Sequence, residues 1–283
     1  MKKPVWNYSN IFWISLVHLL ALGAFFFPAW ENTVILFIGI FVLAPLGINV
    51  GYHRLLTHKG FTAPNWLRYS LATIGSLVGG GPPIHWAAMH RAHHRYSDTA
   101  KDPHDSRRGF WYSHVFHLFL MEDLEANKDY TAIYTPDLIK EPYLVFLEKY
   151  GIALATAMLP LLYLAGGWAW VFWGGFLRTA CIWHIMWLVN SASHMWGYRN
   201  YETKDNTVNC WWVGLLAAGE GWHNNHHAQP SVAKHGHRWW ELDLSYMIIR
   251  SFELAGIISE VKRPSPPSAN FGERRELPRP SGG

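Results

Sequence analysis

Five stretches of this 283-residue chain carry no Asp, Glu, Lys or Arg: residues 4–30, 32–53, 69–90, 150–177 and 179–198. Each reaches the roughly 20 residues that take an α-helix across a hydrocarbon core. Run length limits the fold more than any motif, because so much uncharged apolar sequence must be buried in lipid or in an unusually large core. Charged residues make up only 16% of the chain, 50% are apolar and 17 are Trp, a balance that favours lipid as the surroundings. The alternative, a buried helical hairpin in a soluble protein, would have to occur twice, uncharged and flanked by Trp. Disorder throughout is excluded, and the two cysteines, Cys181 and Cys210, are too few for a disulfide framework.

Not every run reads as a span. Ile11 to Trp30 and Thr33 to Asn49 are dense in Ile, Leu, Val and Phe, and the turn Pro28-Ala29-Trp30-Glu31-Asn32 joins them as a hairpin. The third run is Ser/Thr-diluted and stops at Gly79-Gly80-Gly81-Pro82-Pro83, strong breakers that make it an interfacial or re-entrant helix. The last two form a second hairpin, with spans near 150–165 and 169–191 broken at Ala165-Gly166-Gly167-Trp168. Arg178 falls inside the fourth span, where a charge snorkels, pairs or serves a site. Lys2, Lys3, Arg54, Lys59, Arg68 and most basic residues after Trp196 then share one side, while the hairpin loops carry only Glu31. The positive-inside rule predicts both termini in the cytoplasm, with the first span uncleaved. The expected fold is an all-α integral membrane protein: four transmembrane helices and a cytosolic helical cap formed by the polar segments 91–149 and 199 onward. It is one domain over residues 1–261, followed by a Pro-rich tail, 262–283, that lacks the apolar content to fold.

The 17 histidines are the compositional anomaly, and they cluster: His53-x4-His58, His90-x2-His93-His94, Asn190-x3-His194 and His223-x2-His226-His227. On a helix, positions i, i+3 and i+4 fall at 0°, about 300° and about 40°, so the imidazoles of an H-x-x-H-H box share a face and can converge on one point. Asn190 and His194 are one turn apart. His53 and His58 are about 140° out of phase on a continuous helix, so the segment is expected to bend or end between them. With four spans all these segments emerge on the cytoplasmic face. Nine imidazoles exceed the four ligands of one closed zinc site, and imidazole suits iron, copper, nickel and zinc alike. Two metals are the economical reading. An isolated box could equally be a solvated cluster; two boxes and a pair together favour metal. His18 and His184 are set aside as core or interfacial residues, and His85, His104, His114, His117, His235 and His237 as at most supports for the ligands.

These residues resemble the membrane fatty-acid desaturases of the stearoyl-CoA (delta-9) type. The resemblance rests on Gly51-Tyr52-His53-Arg54-Leu55-Leu56-Thr57-His58, His90-Arg91-Ala92-His93-His94, Asp102 to Phe110, Trp187 to His194, and Gly219-Glu220-Gly221-Trp222-His223-Asn224-Asn225-His226-His227, and covers roughly residues 10 to 255. It implies four transmembrane helices with a cytosolic cap, and two non-haem Fe ions held by His53, His58, His90, His93, His94, His194, His223, His226 and His227, with Asn190 completing the shell through a water. It further implies insertion of a cis double bond, at the delta-9 position by resemblance only, into a saturated acyl chain with O2 and two external electrons. No catalytic residue separate from the ligands is expected. Trp86, Trp187 and Trp222 are the substrate-tunnel candidates, although any single Trp in such a chain is as readily a core or interface residue. Where animal acyl-CoA enzymes carry a charged Arg-Asp pair, this chain has Ala88-Met89, and its last box is similar to that of bacterial and cyanobacterial acyl-lipid desaturases. A fatty-acyl glycerolipid is therefore the expected substrate, with acyl-CoA or acyl carrier protein as alternatives. Two Cys cannot ligate an iron–sulfur cluster, so a separate ferredoxin or cytochrome b5-like protein is the expected electron donor; the net charge of +4 suits an acidic carrier, and no nucleic-acid partner is expected. A membrane di-iron hydroxylase is the rival enzyme reading and a metal transporter the non-enzymatic one.

Overall fold

The computed structural model describes residues 5–121 and 129–265. Three helical stretches in it are long and apolar enough to cross a membrane: Tyr8–Phe26, Trp30–Thr57 and Pro142–His194. The first is α1 (Tyr8–Ala21), which tightens into a 3-10 turn over Leu22–Phe26. Its start is fixed by Asn7, whose side chain accepts from the Asn10 amide at 3.1 Å, and by the pairing of β1 (Val5–Trp6) with β2 (Leu120–Met121). Phe12, Trp13, Leu19, Leu22, Phe25 and Phe26 are all exposed on it, an arrangement stable only against lipid.

The second stretch begins as α2 (Trp30–Ile38) and continues with π winding over Gly39–Leu43 and Pro45–Thr57. The helix ends at Thr57 with His58 as its cap, so it ends between His53 and His58 as the phase argument expects, and π winding carries it that far. In a chain bonded from i to i+5, residues five apart lie one turn apart, and the His58 amide donates to the His53 carbonyl at 3.1 Å. The two rings end 4.9 Å apart.

Residues 69–90 do not form one helix. α3 (Asn65–Leu77) stops, the chain turns through Gly79 and Gly81 at φ +95° and +78°, and α4 (Pro83–Tyr96) starts with Pro at its first position. Neither piece is long enough to span a membrane. α3 lies directly against the π-wound helix: a Cβ on Gly47 would come 2.3 Å from the Gly75 amide nitrogen, and Tyr52 Oη bonds Ser76 Oγ at 2.7 Å and Gly81 O at 2.9 Å. Arg178 finds its partner here, donating from Nη2 to Leu77 O at 3.2 Å. A half-buried cation thus meets the carbonyl end of α3, where the helix dipole is negative.

Between α4 and the third stretch lie α5 (Phe110–His114) and α6 (Tyr130–Tyr134). The third stretch is α7 (Pro142–Trp170), a π-wound segment Val171–Leu177, and α8 (Arg178–Ser191). At 53 residues it would extend about 80 Å if straight, more than twice a hydrocarbon core. It is not straight: Gly166 and Gly167 leave helical geometry, Gly167 with φ +63°, at the position the sequence marks. Leu159 and Leu162, before the break, pack against Gly175 after it, so the chain doubles back.

Three short helices, α9 (Trp211–Leu216), α10 (His223–Ala228) and α11 (Leu244–Leu254), follow. α11 joins the π-wound helix and α3 in one core through Val50, Leu55, Leu67, Leu71 and Ile249. Lys262 bonds Gly60 and Ala233 through its backbone; the expected tail lies outside the described residues from 266 onward.

Candidate metal centre

The imidazoles that the sequence singles out come together in two adjacent groups, His53, His58, His90, His94 and His226 in one and His93, His194, His223 and His227 in the other. In each group the ligand atoms lie within 4.8 Å of one another. Both H-x-x-H-H boxes are split, which corrects the expectation that each box serves one point. His90 and His94, one turn apart on α4, face the first group while His93 faces the second; on α10, His226 goes to the first and His223 and His227 to the second. A helix inserted between two sites serves both because i+3 and i+4 diverge to either side of i.

Four Nε2 atoms of the first group form a closed ring: His53 to His90 at 2.8 Å, His90 to His94 at 2.9 Å, His94 to His226 at 2.9 Å and His226 to His53 at 3.0 Å. The centre of a square ring with such edges lies about 2 Å from each nitrogen, the usual imidazole–metal bond length. His58 Nε2 is buried beside it and has no hydrogen-bond partner.

Carboxylates settle which ring nitrogens carry protons. His53 Nδ1 meets Glu220 Oε2 at 2.6 Å, His93 Nδ1 meets Asp102 Oδ1 at 2.9 Å, His227 Nδ1 meets Asp205 Oδ2 at 2.9 Å and His194 Nδ1 meets Asp98 Oδ2 at 3.2 Å. A carboxylate only accepts, so each of these imidazoles donates from Nδ1 and in its neutral form turns a bare lone pair inward at Nε2. His93 and His227 therefore oppose two lone pairs at 3.3 Å, with no proton available between them. His194 Nε2 and both nitrogens of His223 are buried without a partner. Buried lone pairs aimed at one another are costly, and a cation at their focus removes the cost. The residues fit two metal ions.

Electrostatics favour the same state. Burial and the neighbouring imidazoles hold His58, His90, His94, His223, His226 and His227 well below the usual histidine range, and His93 likewise. They stay neutral and able to ligate at neutral pH. Burial raises the Glu220 carboxyl, but the Arg54 guanidinium and His53 outweigh that and hold it well below the carboxylate range. Arg54 is itself buried and fully engaged. It donates to Glu220 at 2.9 and 3.1 Å, to Asp243 at 2.9 Å and to Ala233 O at 2.8 Å. Gly219, at φ +113°, permits this approach, since a Cβ there would stand 2.3 Å from Asp243 Oδ1.

Asn190 sits half-buried on the last turn of α8, one turn before His194. Of the three tryptophans, Trp86 faces the centre, its ring stacked on His90 at 5.2 Å and 5.8 Å from His53. Trp222 is core: it is buried, donates from Nε1 to Leu242 O at 2.8 Å and closes on Gly214. Trp187 packs among His18, His114 and His184. His104 stacks on His93 at 4.0 Å, and His235 lies 4.4 Å from His226 and 3.3 Å from Glu220. Sequence reasoning missed Arg54, Asp98, Asp205, Glu220, Asp102 and Asp243 as a supporting layer. Asp102, Arg54 and Glu220 stand inside the quoted motifs, which was a usable signal; Asp98, Asp205 and Asp243 carry none, because only folding brings them beside a ligand.

The sequence profile described as fatty acid desaturase matches residues 28–254. Relatives include an sn-1 stearoyl-lipid 9-desaturase of Anabaena variabilis, 42% identical over 92% of this chain and 95% of its own length. An sn-2 palmitoyl-lipid 9-desaturase of Nostoc sp. (strain 36) is 40% identical over 96% and 95%, and an acyl-CoA 5-desaturase of Anemone leveillei 38% identical over 92% and 82%. Likeness along nearly the whole length, in a chain whose folding gathers nine imidazoles around two points, makes this protein an oxidoreductase that belongs to the fatty acid desaturase family.

Proposed function

We propose that this chain is a membrane-embedded di-iron acyl-lipid 9-desaturase. One observation carries the metal assignment: His93 and His227, each donating from Nδ1 to a carboxylate, oppose Nε2 lone pairs at 3.3 Å, beside a four-nitrogen ring of 2.8–3.0 Å edges. On this reading His53, His58, His90, His94 and His226 hold one iron, and His93, His194, His223 and His227 hold the other, with Asn190 completing that shell through a water. Two irons, when bound, would supply the O2 activation needed to oxidise an unactivated methylene.

What the chain itself does follows from its own atoms. Glu220, Asp102, Asp205 and Asp98 keep the ligating nitrogens deprotonated and the rings oriented, while Arg54 fixes Glu220. Trp86 walls the first group and shields it from water. The overall conversion is –CH2–CH2– plus O2, two electrons and two protons to a cis –CH=CH– and two waters. Four spans support the arrangement: the third helical stretch doubles back at Gly166 and Gly167, so His53, His58 and His194 stand at helix ends that share one side. Positive charge near those ends puts that side, with both termini, in the cytoplasm. The relatives named as stearoyl-lipid and palmitoyl-lipid 9-desaturases support a glycerolipid-bound acyl chain and the 9 position. A separate ferredoxin or cytochrome b5-like protein delivers the electrons.

Expression in a host that lacks unsaturated fatty acids, with the double bond located by mass spectrometry in each lipid class, tests the reading. A 9-monoene on intact glycerolipid and two irons per purified chain are expected. A hydroxylated product, unsaturation confined to the acyl-CoA pool, or a single metal per chain refutes the corresponding part.

A further inference from the structure

The helix α11 turns one face to the core and leaves the opposite face uncovered. At 100° per residue, Met247 and Leu254 lie about 160° and about 140° round the helix from Ile249, the residue that packs with Val50, Leu55, Leu67 and Leu71. Met247 is 57% exposed and Leu254 71%. α9 likewise exposes Trp211, Leu215 and Leu216. Contiguous apolar surface of this kind is covered by lipid or by another protein.

The height at which the two helices sit decides between these. Asn49, where the second apolar run ends, donates from Nδ2 to Ala217 O at 3.0 Å and to Ser245 Oγ at 3.0 Å, and the Ser245 amide donates to Ala218 O at 3.0 Å. The end of α9 and the first turn of α11 are therefore pinned at the level where that span ends. Leu216 and Ala217 also line a small cavity with Ile40 and Ala44 of the second stretch and Ile182 of α8, so α9 continues the lipid-facing surface of the spans. From there the chain climbs: just past α11, Ser259 pairs with Thr62, which lies beyond the end of the second stretch. Charge climbs with it. Arg250, Lys262 and Arg263 follow Met247 in that direction, all exposed, and the two arginines share one carboxylate, Glu253. Apolar side chains at span level with cations above them match acyl chains beneath phosphate headgroups.

We propose that α9 and α11 form a collar seated in the leaflet on the side of the metal centre, with Leu215 and Met247 among the acyl chains and Leu254 at the headgroup boundary. Its partner is phospholipid, whose phosphates meet Arg250, Lys262 and Arg263. The collar rests on the membrane reading of the spans and not on the reaction. It also gives the leaflet a hold on the centre, because Asp243 caps α11 through the Tyr246 amide at 2.9 Å and accepts from Arg54 at 2.9 Å.

The test places a nitroxide on the full chain in phosphatidylglycerol-containing nanodiscs, at Leu215→Cys, Met247→Cys and Leu254→Cys, with Leu19→Cys on the first span and Lys101→Cys on the cap as references. All five positions are exposed. Half-buried Cys181 and buried Cys210 set the background, measured on the wild type. Dissolved O2 concentrates in lipid and a nickel chelate in water, so the ratio of their collisions with the label reads depth. Leu215 and Met247 are expected about 5–10 Å inside the headgroup boundary, Leu254 at that boundary and Lys101 in water. A second measurement needs no label: Trp211→Phe is expected to remove part of the quenching of tryptophan emission by brominated lipid. Water-like ratios at Leu215 and Met247 with Leu19 in lipid, or unchanged quenching in Trp211→Phe, overturn the collar. Shielding from both probes that appears only with two chains per disc also overturns it, since a second copy then covers the face. A water-like ratio at Leu19 overturns the membrane reading itself, and the collar with it.

Discussion

Glu220→Gln exposes the link between the buried ion network and the metal centre. Glu220 accepts from His53 Nδ1 at 2.6 Å with one oxygen and from Arg54 at 2.9 and 3.1 Å with the other. A carboxamide keeps one acceptor oxygen and replaces the other by an NH2 that donates. If the oxygen faces Arg54, the NH2 faces His53, whose proton must then move from Nδ1 to Nε2, into the four-nitrogen ring. If it faces His53, the guanidinium meets a donor and keeps only Asp243 as its anion. Either choice harms one partner. Loss of the anion from a buried pair costs about 3–5 kcal/mol, and the retained oxygen puts this variant near the lower end. Disturbing a carboxylate that orients a ligand lowers metal affinity about 10–100-fold. The expected result is a protein that still inserts, melts earlier, and carries iron falling from two towards one per chain, because His93, His194, His223 and His227 do not touch Glu220. Metal analysis, thermal unfolding in micelles and alkene formation report the three effects. Two tightly held irons with wild-type melting would refute the network argument.

Further outcomes follow from single features. His226→Ala and His93→Ala remove ligands from different groups, so each is expected to abolish alkene formation while leaving membrane insertion intact, and activity retained in both would contradict the ligand assignment. Gly47→Ala places a Cβ 2.3 Å from the Gly75 amide nitrogen and forces two packed helices apart, an overpacking cost of about 1–3 kcal/mol that thermal unfolding would detect. Burial lowers the His117 imidazole to about 3. This is a folded value below the ordinary one, so below about pH 6.5 the unfolded chain binds a proton that the folded chain refuses, and stability falls by about 1.4 kcal/mol per pH unit until the pH reaches about 3. His117→Gln is expected to shallow that acid limb by one proton, as measured by unfolding midpoints between pH 6 and pH 4.

The sequence alone determined the lipid setting, the break at Gly166 and Gly167, the interruption at Gly79 to Pro83 and the nine imidazoles, because run length, breakers and helical spacing are local properties. Its phase argument for His53 and His58 assumed ordinary α winding, and only the fold showed that π winding brings residues five apart into line. Spacing put the three histidines of each box on one face but could not reveal that the face lies between two centres, since that depends on where other helices dock. The carboxylates behind the ligands and the partner of Arg178 were likewise decided by tertiary structure. Asp98, Asp205 and Glu220 reach their histidines across 96, 22 and 167 residues of chain, and contacts at that range are set by how separate segments pack, which no local pattern encodes.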